Sequence, residues 1–219
     1  MKTKKTMLFV MLFGLTLNTF SQGFGFLGTY NSAKFKIVSD GVELPKEDFI
    51  HYNSLTGIGL EINYDYELSD NLYGEFGVSY QNKGMIKLIE DEGYDGKDLT
   101  YESQISYLQI PLHLKYNFEV SDDTYIFGYG GLDIGFALSG KSKRDDGKNV
   151  NESEIKIGSS NNDDIKSSDF GFTLGAGVLY KSIEFRLGIS NGLSDITPPE
   201  DFEVYNRVFF FGVGYRFNN

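Results

Sequence analysis

Two residue types are missing altogether: the chain of 219 residues contains neither cysteine nor tryptophan. Without cysteine there is no disulfide framework and no lipid-anchoring thiol, so stability outside the cytoplasm must come from another source. Histidine is nearly absent as well, with only His51 and His113, which leaves few ways to assemble a general base or a zinc site. Positive charge is scarce: Lys and Arg number 20 against 31 Asp and Glu, for a formal charge of −11. Nucleic acid is thereby excluded as a partner, since binding a phosphate backbone needs a basic patch. No apolar run approaches the ~20 residues of a membrane-spanning helix.

The longest apolar run is Met7–Leu17 (MLFVMLFGLTL), preceded by Lys2, Lys4 and Lys5 and followed by Thr19-Phe20-Ser21. A basic n-region, a short apolar core and a small-x-small site predict a secretory signal peptide over residues 1–21, cleaved after Ser21. The mature domain is then 22–219, and losing the three lysines takes the formal charge from −11 to −14. Export, with an acidic mature chain, directs attention to the cell envelope.

What is abundant is Gly, Tyr and Phe, at 26, 15 and 19 residues, and they fall into an alternating pattern. In Tyr107–Phe118 (YLQIPLHLKYNF), Leu108, Ile110, Leu112, Leu114, Tyr116 and Phe118 form one face. Gln109, Pro111, His113, Lys115 and Asn117 form the other. Period two marks a strand with one oily and one polar face. The same reading predicts eight strands: Phe24–Tyr30, Gly57–Leu68, Leu72–Lys83, Ser103–Phe118, Tyr125–Leu138, Asp169–Lys181, Ile183–Ser190 and Arg207–Phe217. Pro111 is out of place in a closed sheet, because it lacks a ladder donor; a bulge or a missing hydrogen bond is expected there.

Connections alternate. Ser69–Asn71, Ser121–Thr124 and Lys181-Ser182 are tight turns, whereas 31–56, 84–102, 139–168 and 191–206 are long and polar. Strict segregation of short and long connections, with an even strand number, predicts an eight-stranded antiparallel up-and-down transmembrane β-barrel with four long extracellular loops and short periplasmic turns. Tyr64, Tyr66, Tyr116, Phe118, Tyr180, Tyr215 and Phe217 cluster beside the short turns or the C-terminus, where a periplasmic aromatic girdle would sit.

Several fragments resemble the outer-membrane β-barrel (porin-like, PorT-like) family of Bacteroidetes: YLQIPLHLKY (Tyr107–Tyr116), YGGLDIGFALSG (Tyr129–Gly140), DFGFTLGAGVLY (Asp169–Tyr180), FRLGISNGLSDI (Phe185–Ile196) and FFFGVGYRF (Phe209–Phe217). The likeness runs through the mature chain. It implies the barrel fold, residence in the outer membrane of a Gram-negative cell, contact with outer-membrane lipid, and insertion by the outer-membrane assembly machinery. It also implies either a small-solute porin or, for PorT-like members, an accessory of a secretion apparatus.

The residues add a chemical reading of their own. Glu61, Asp65, Glu75, His113, Lys115, Asp133, Glu184, Arg186 and Arg216 all fall on polar faces, with Glu67 and Lys83 beside them. Eight strands leave an interior just wide enough for side chains, so these residues predict a polar network plugging the lumen rather than a pore. Neither histidine has a Ser or acid at a diagnostic spacing, which argues against an enzyme; a lipid-directed reaction with His51 as base is the weakest alternative. Asp91–Asp95, Gly96 and Glu102 resemble a calcium loop, but Gly93 stands where a third oxygen ligand belongs, and the flanks read as strands. No catalytic, cofactor or metal residue is therefore expected. The expected role is structural or interactive, with a protein partner bound through the extracellular loops.

Overall fold

A computed structural model describes residues 23–43, 49–158, 160, 162–198 and 202–217. The expected signal peptide lies outside the described residues. The β elements are β1 (Phe24–Ser39), β2 (Val42–Glu43), β3 (Ile50–Ser69), β4 (Leu72–Ile89), β5 (Leu99–Ser121), β6 (Thr124–Asp145), β7 (Val150–Glu154), β8 (Ser168–Tyr180), β9 (Ile183–Gly192) and β10 (Glu203–Arg216).

Eight of these form a ring. Each of β1, β3, β4, β5, β6, β8, β9 and β10 pairs with its sequence neighbour, and β10 closes on β1. β2 and β7 are additions at the long-loop end, paired to β1 and β6. The eight-stranded antiparallel barrel read from the sequence is the observed fold. Its stagger follows from the cross-strand partners Phe24, Tyr64, Phe76, Leu112, Leu132, Phe172, Asn191, Arg207 and Lys34. The circuit leaves β1 at Phe24 and returns ten residues further on, at Lys34. With eight strands, that stagger tilts them by about 40° from the barrel axis.

The oily face looks outward. Leu60, Ile62, Val78, Leu112, Leu114, Leu132, Leu174, Leu187 and Phe211 are exposed on the outer wall. On β5 this face runs from Leu108 to Phe118, about 25 Å of vertical rise, the height of a bilayer's hydrocarbon layer. Above it the wall turns polar, with Lys34, Gln104 and Lys141 in outward positions.

Strands outrun their expected limits at the long-loop end. β1 continues to Ser39 rather than stopping at Tyr30, and the β5–β6 hairpin reaches Leu99 and Asp145. Above the belt the outward residues are polar, so the alternation vanishes while the ladder continues. One shift in the β5–β6 pairing, Ser106 to Ser139 but Tyr107 to Ala137, leaves Leu138 as an extra residue. That bulge exchanges the faces of upper β6. At Pro111 the second of the two expected outcomes, missing pairing, is found. The β4–β5 ladder passes from Phe76–Leu112 to Ser79–Gln109 without the two pairs between, yet the register holds and the β6 side runs unbroken. Pairing is lost on one side, with no bulge.

Candidate functional site

The polar faces meet inside the ring. Nearest the short turns, Arg216 donates from Nη1 to the Gly23 carbonyl at 2.9 Å, from Nε to Glu184 at 2.8 Å and from Nη2 to Asn63 Oδ1 at 3.1 Å, and its Nη1 forms an ion pair with Asp65 at 2.8 Å. Lys115 donates to Asp65 at 2.9 Å and lies 3.7 Å from Glu184. One level up, Glu75 is the hub: Arg186 grips both its oxygens, at 2.8 and 2.5 Å, and Arg216 stands 3.4 Å away. Arg186 also bonds Glu184 and lies 3.7 Å from Glu61. His113 bridges two carboxylates, with Nε2 3.0 Å from Asp133 and Nδ1 3.4 Å from Glu75. Asp133 further accepts from Thr173 and Ser190.

Aromatic rings fill what charge leaves. Lys115 lies 4.5 Å from the Phe127 ring centroid and Arg186 4.8 Å from that of Tyr129. Gly175 and Gly177 on β8 make room for them, because a Cβ at either would collide with Tyr129 or Phe127. A void among them, lined by Thr29, Glu61, His113, Tyr129 and Asp133 among others, holds about 20 Å³, room for one water.

All nine lumen residues inferred from sequence thus belong to one contact network. Glu67 does not: it is exposed beside the turn. A second group lies higher, where Lys83 donates to Asp169 at 3.0 Å, Asn206 donates to Asp169 at 2.9 Å and to the Tyr107 hydroxyl at 3.3 Å, and Lys83 sits 4.8 Å over the Tyr107 ring. Asp169, Asn206 and Tyr107 were not among the expected lumen residues; Asp169 was read as the first residue of a strand and Asn206 as the last of a loop. The alternation of Asp169 with Gly171 and Thr173 was the available signal.

Above the charges comes an apolar stopper that periodicity could not reveal. Ile105, Tyr107 and Val204 from the wall pack with Ile165 and Ile196 from the third and fourth long loops, and Ile155 and Ile157 join them. The loops are latched. Ile196 and Val204 share a backbone bond, Lys166 donates its N–H to the Ile196 carbonyl, and the Asp195 carboxylate accepts from Lys166 Nζ at 2.7 Å, Thr197 N and Val204 N. Burial alone would raise the Asp195 pKa, but Lys166, Thr197 and the backbone N–H groups outweigh it and hold the group below the usual carboxylate range.

Other sequence candidates do not assemble. The acids of the Asp91–Glu102 segment diverge, since Glu102 pairs within β5 against Ile86 and Lys143. Among the described residues no group of three or more His, Asp or Glu could hold a metal ion. His51 pairs with exposed Glu90 at 2.7 Å. The seven rings beside the short turns lie on or near the outer wall, where several pack together: Tyr64 with Phe76 at 5.5 Å, Tyr116 with Phe118 at 4.6 Å and Tyr215 with Phe217 at 5.0 Å.

Comparison with known proteins places this architecture. No curated protein sequence matches the chain. Similar solved structures include the outer membrane protein OprG from Pseudomonas aeruginosa, at 16% identity over 91% of this chain and 98% of that one, with a TM-score of 0.46. Neisserial surface protein A follows at 14% identity over 90% and 98%, TM-score 0.44. Ail, the attachment invasion locus protein of Yersinia pestis, is 16% identical over 90% and 99%, TM-score 0.36. Likeness this distant supports no argument about a ligand, and the assignment rests on the family model for the outer membrane protein beta-barrel domain, which matches residues 17–197. Closed ring, lipid-facing belt and family match agree, and the chain belongs to the outer membrane protein beta-barrel domain family, resident in the outer membrane of Gram-negative bacteria.

Proposed function

We propose that this protein is a non-catalytic outer-membrane barrel with a sealed lumen, which acts through its extracellular face as a structural or binding element. The observation that carries the reading is the double seal: a layer of interlocked charges across the barrel and an apolar stopper above it. Charges packed this closely across the bore, beside a void with room for about one water, support a lumen closed to solutes. The aromatic rings beside the short turns serve as the periplasmic girdle, and the strands that outgrow the membrane present the loops to the exterior.

Planar-bilayer recording tests the seal. Purified protein is expected to give no unitary conductance steps in molar salt; resolved steps of constant size would overturn the reading and favour a small-solute porin.

A further inference from the structure

Above the belt, β3 to β7 continue as a five-stranded wall, and one rung of that wall has an unusual composition. Paired residues of an antiparallel sheet share a face. The pairs Tyr52–Lys87, Lys87–Tyr101, Tyr101–Arg144 and Arg144–Asn151 therefore form a continuous row across five strands. Arg144 confirms the common face, with its guanidinium 6.0 Å from the Tyr101 ring centroid and its Nε donating to the Tyr101 hydroxyl at 3.3 Å. The row is about 19 Å long at ~4.8 Å per strand, and it alternates aromatic and cation.

The next rung inward carries four hydroxyls and one buried thioether: Ser54, Met85, Ser103, Ser142 and Ser153. Leu99 lies beyond the row on one side and Ile105 beyond the serines on the other, both buried. The result is a trough floored by hydroxyls and edged by rings and cations. Tyr52, Lys87 and Tyr101 are half-buried and Arg144 and Asn151 exposed. No acid occurs within the row, and the nearest, Asp146, stands 3.9 Å from Arg144. The opposite face of the same strands mixes signs, with Lys143 in register between Glu102 and Glu152.

We infer that this row binds an acidic polysaccharide chain, with Lys87 and Arg144 pairing sugar carboxylates, Tyr101 packing on a sugar ring, and the serines meeting hydroxyls. Charge complementarity selects an anion in a protein of net charge −11. Alternation of rings with cations suits a chain that repeats an apolar face and a charge. The row faces the mouth, not the lipid, so the ligand is a free chain rather than a membrane headgroup. This inference rests on the proposed extracellular binding role, but a sealed lumen is decided by conductance alone, whatever binds outside.

Calorimetry on the full-length protein in detergent, titrated with an oligogalacturonate, tests it; a neutral maltooligosaccharide of equal length, a polyglutamate peptide and anionic lipid vesicles serve as comparisons. Binding of the oligogalacturonate alone is expected, weakening as salt rises. Lys87→Gln with Arg144→Gln should lose roughly tenfold or more in affinity, the value of a charge-assisted hydrogen bond, while Lys143→Gln on the outer face should bind as the parent does. Folding of each variant is read from its heat-modifiable gel mobility, and Arg144→Gln alone, at the exposed rim, is the fallback if the double variant fails to fold. No binding by the parent, undiminished binding by the variants, an equal loss in Lys143→Gln, or tighter binding of polyglutamate or vesicles would each overturn the inference.

Discussion

Glu75 sits at the centre of the buried charge network. It is 1% exposed and touches Arg186, Arg216, His113 and Lys115, which stand on three other strands. Glu75→Ala takes one carboxylate from two buried guanidinium groups, and a cost of about 3–5 kcal/mol is expected, measured as the shift in urea unfolding of the barrel in lipid vesicles. Replacing Glu75 and Arg186 together by apolar residues of similar volume should recover most of that loss, because the cost lies in the orphaned charge rather than in the missing attraction. Gly177 answers to packing instead. A methyl group there would meet the Phe127 ring and the Phe185 carbonyl, so Gly177→Ala should cost about 1–3 kcal/mol by overpacking, in the same assay.

Among the elements, the latch on the fourth long loop has a built-in pH limit. The Asp195 carboxylate is held below its ordinary pKa by Lys166, Thr197 and Val204. A depressed folded pKa means the stabilisation is present above the unfolded value, near ~3.9, and is lost as pH falls through the folded value. Cleavage by an acid-active protease is therefore expected within 193–198 at low pH, with the barrel strands still protected. Asp195→Asn should extend that sensitivity to neutral pH; unchanged resistance of the variant would remove Asp195 as the latch. The strands themselves were legible only where lipid imposes an apolar face. β8 and β9 were placed to within two residues, whereas upper β1 and the start of β5 were read as loop because Lys34, Lys36 and Glu102 give no oily alternation.

Across the whole molecule, the height of the belt decides where charge is tolerated. Leu112 stands near mid-depth on the lipid face and Gln104 above its upper limit. Leu112→Arg should destabilise by about 2–4 kcal/mol and Gln104→Arg by less than about 1, both read from urea unfolding in vesicles. Equal costs at the two positions would show that the bilayer does not sit between Leu108 and Phe118. The stagger of ten residues round eight strands matters at the same scale. It fixes a bore narrow enough for side chains from opposite walls to meet, which is why Glu75 on β4 reaches Arg186 on β9 at 2.8 Å.

Period two along each strand, with the alternation of short and long connections, was enough to determine the closed barrel and its oily side, because one face had to suit hydrocarbon and the other could not. Which charge meets which was decided by the tertiary structure, since partners such as Glu75 and Arg186 lie far apart in the chain and are joined only by the stagger. The apolar stopper was likewise invisible: Ile155, Ile157, Ile165 and Ile196 are isolated in polar loops and become a cluster only when those loops fold back over the mouth. The row from Tyr52 to Asn151 comes from five separate strands, and it exists because their registers bring one residue from each to the same height.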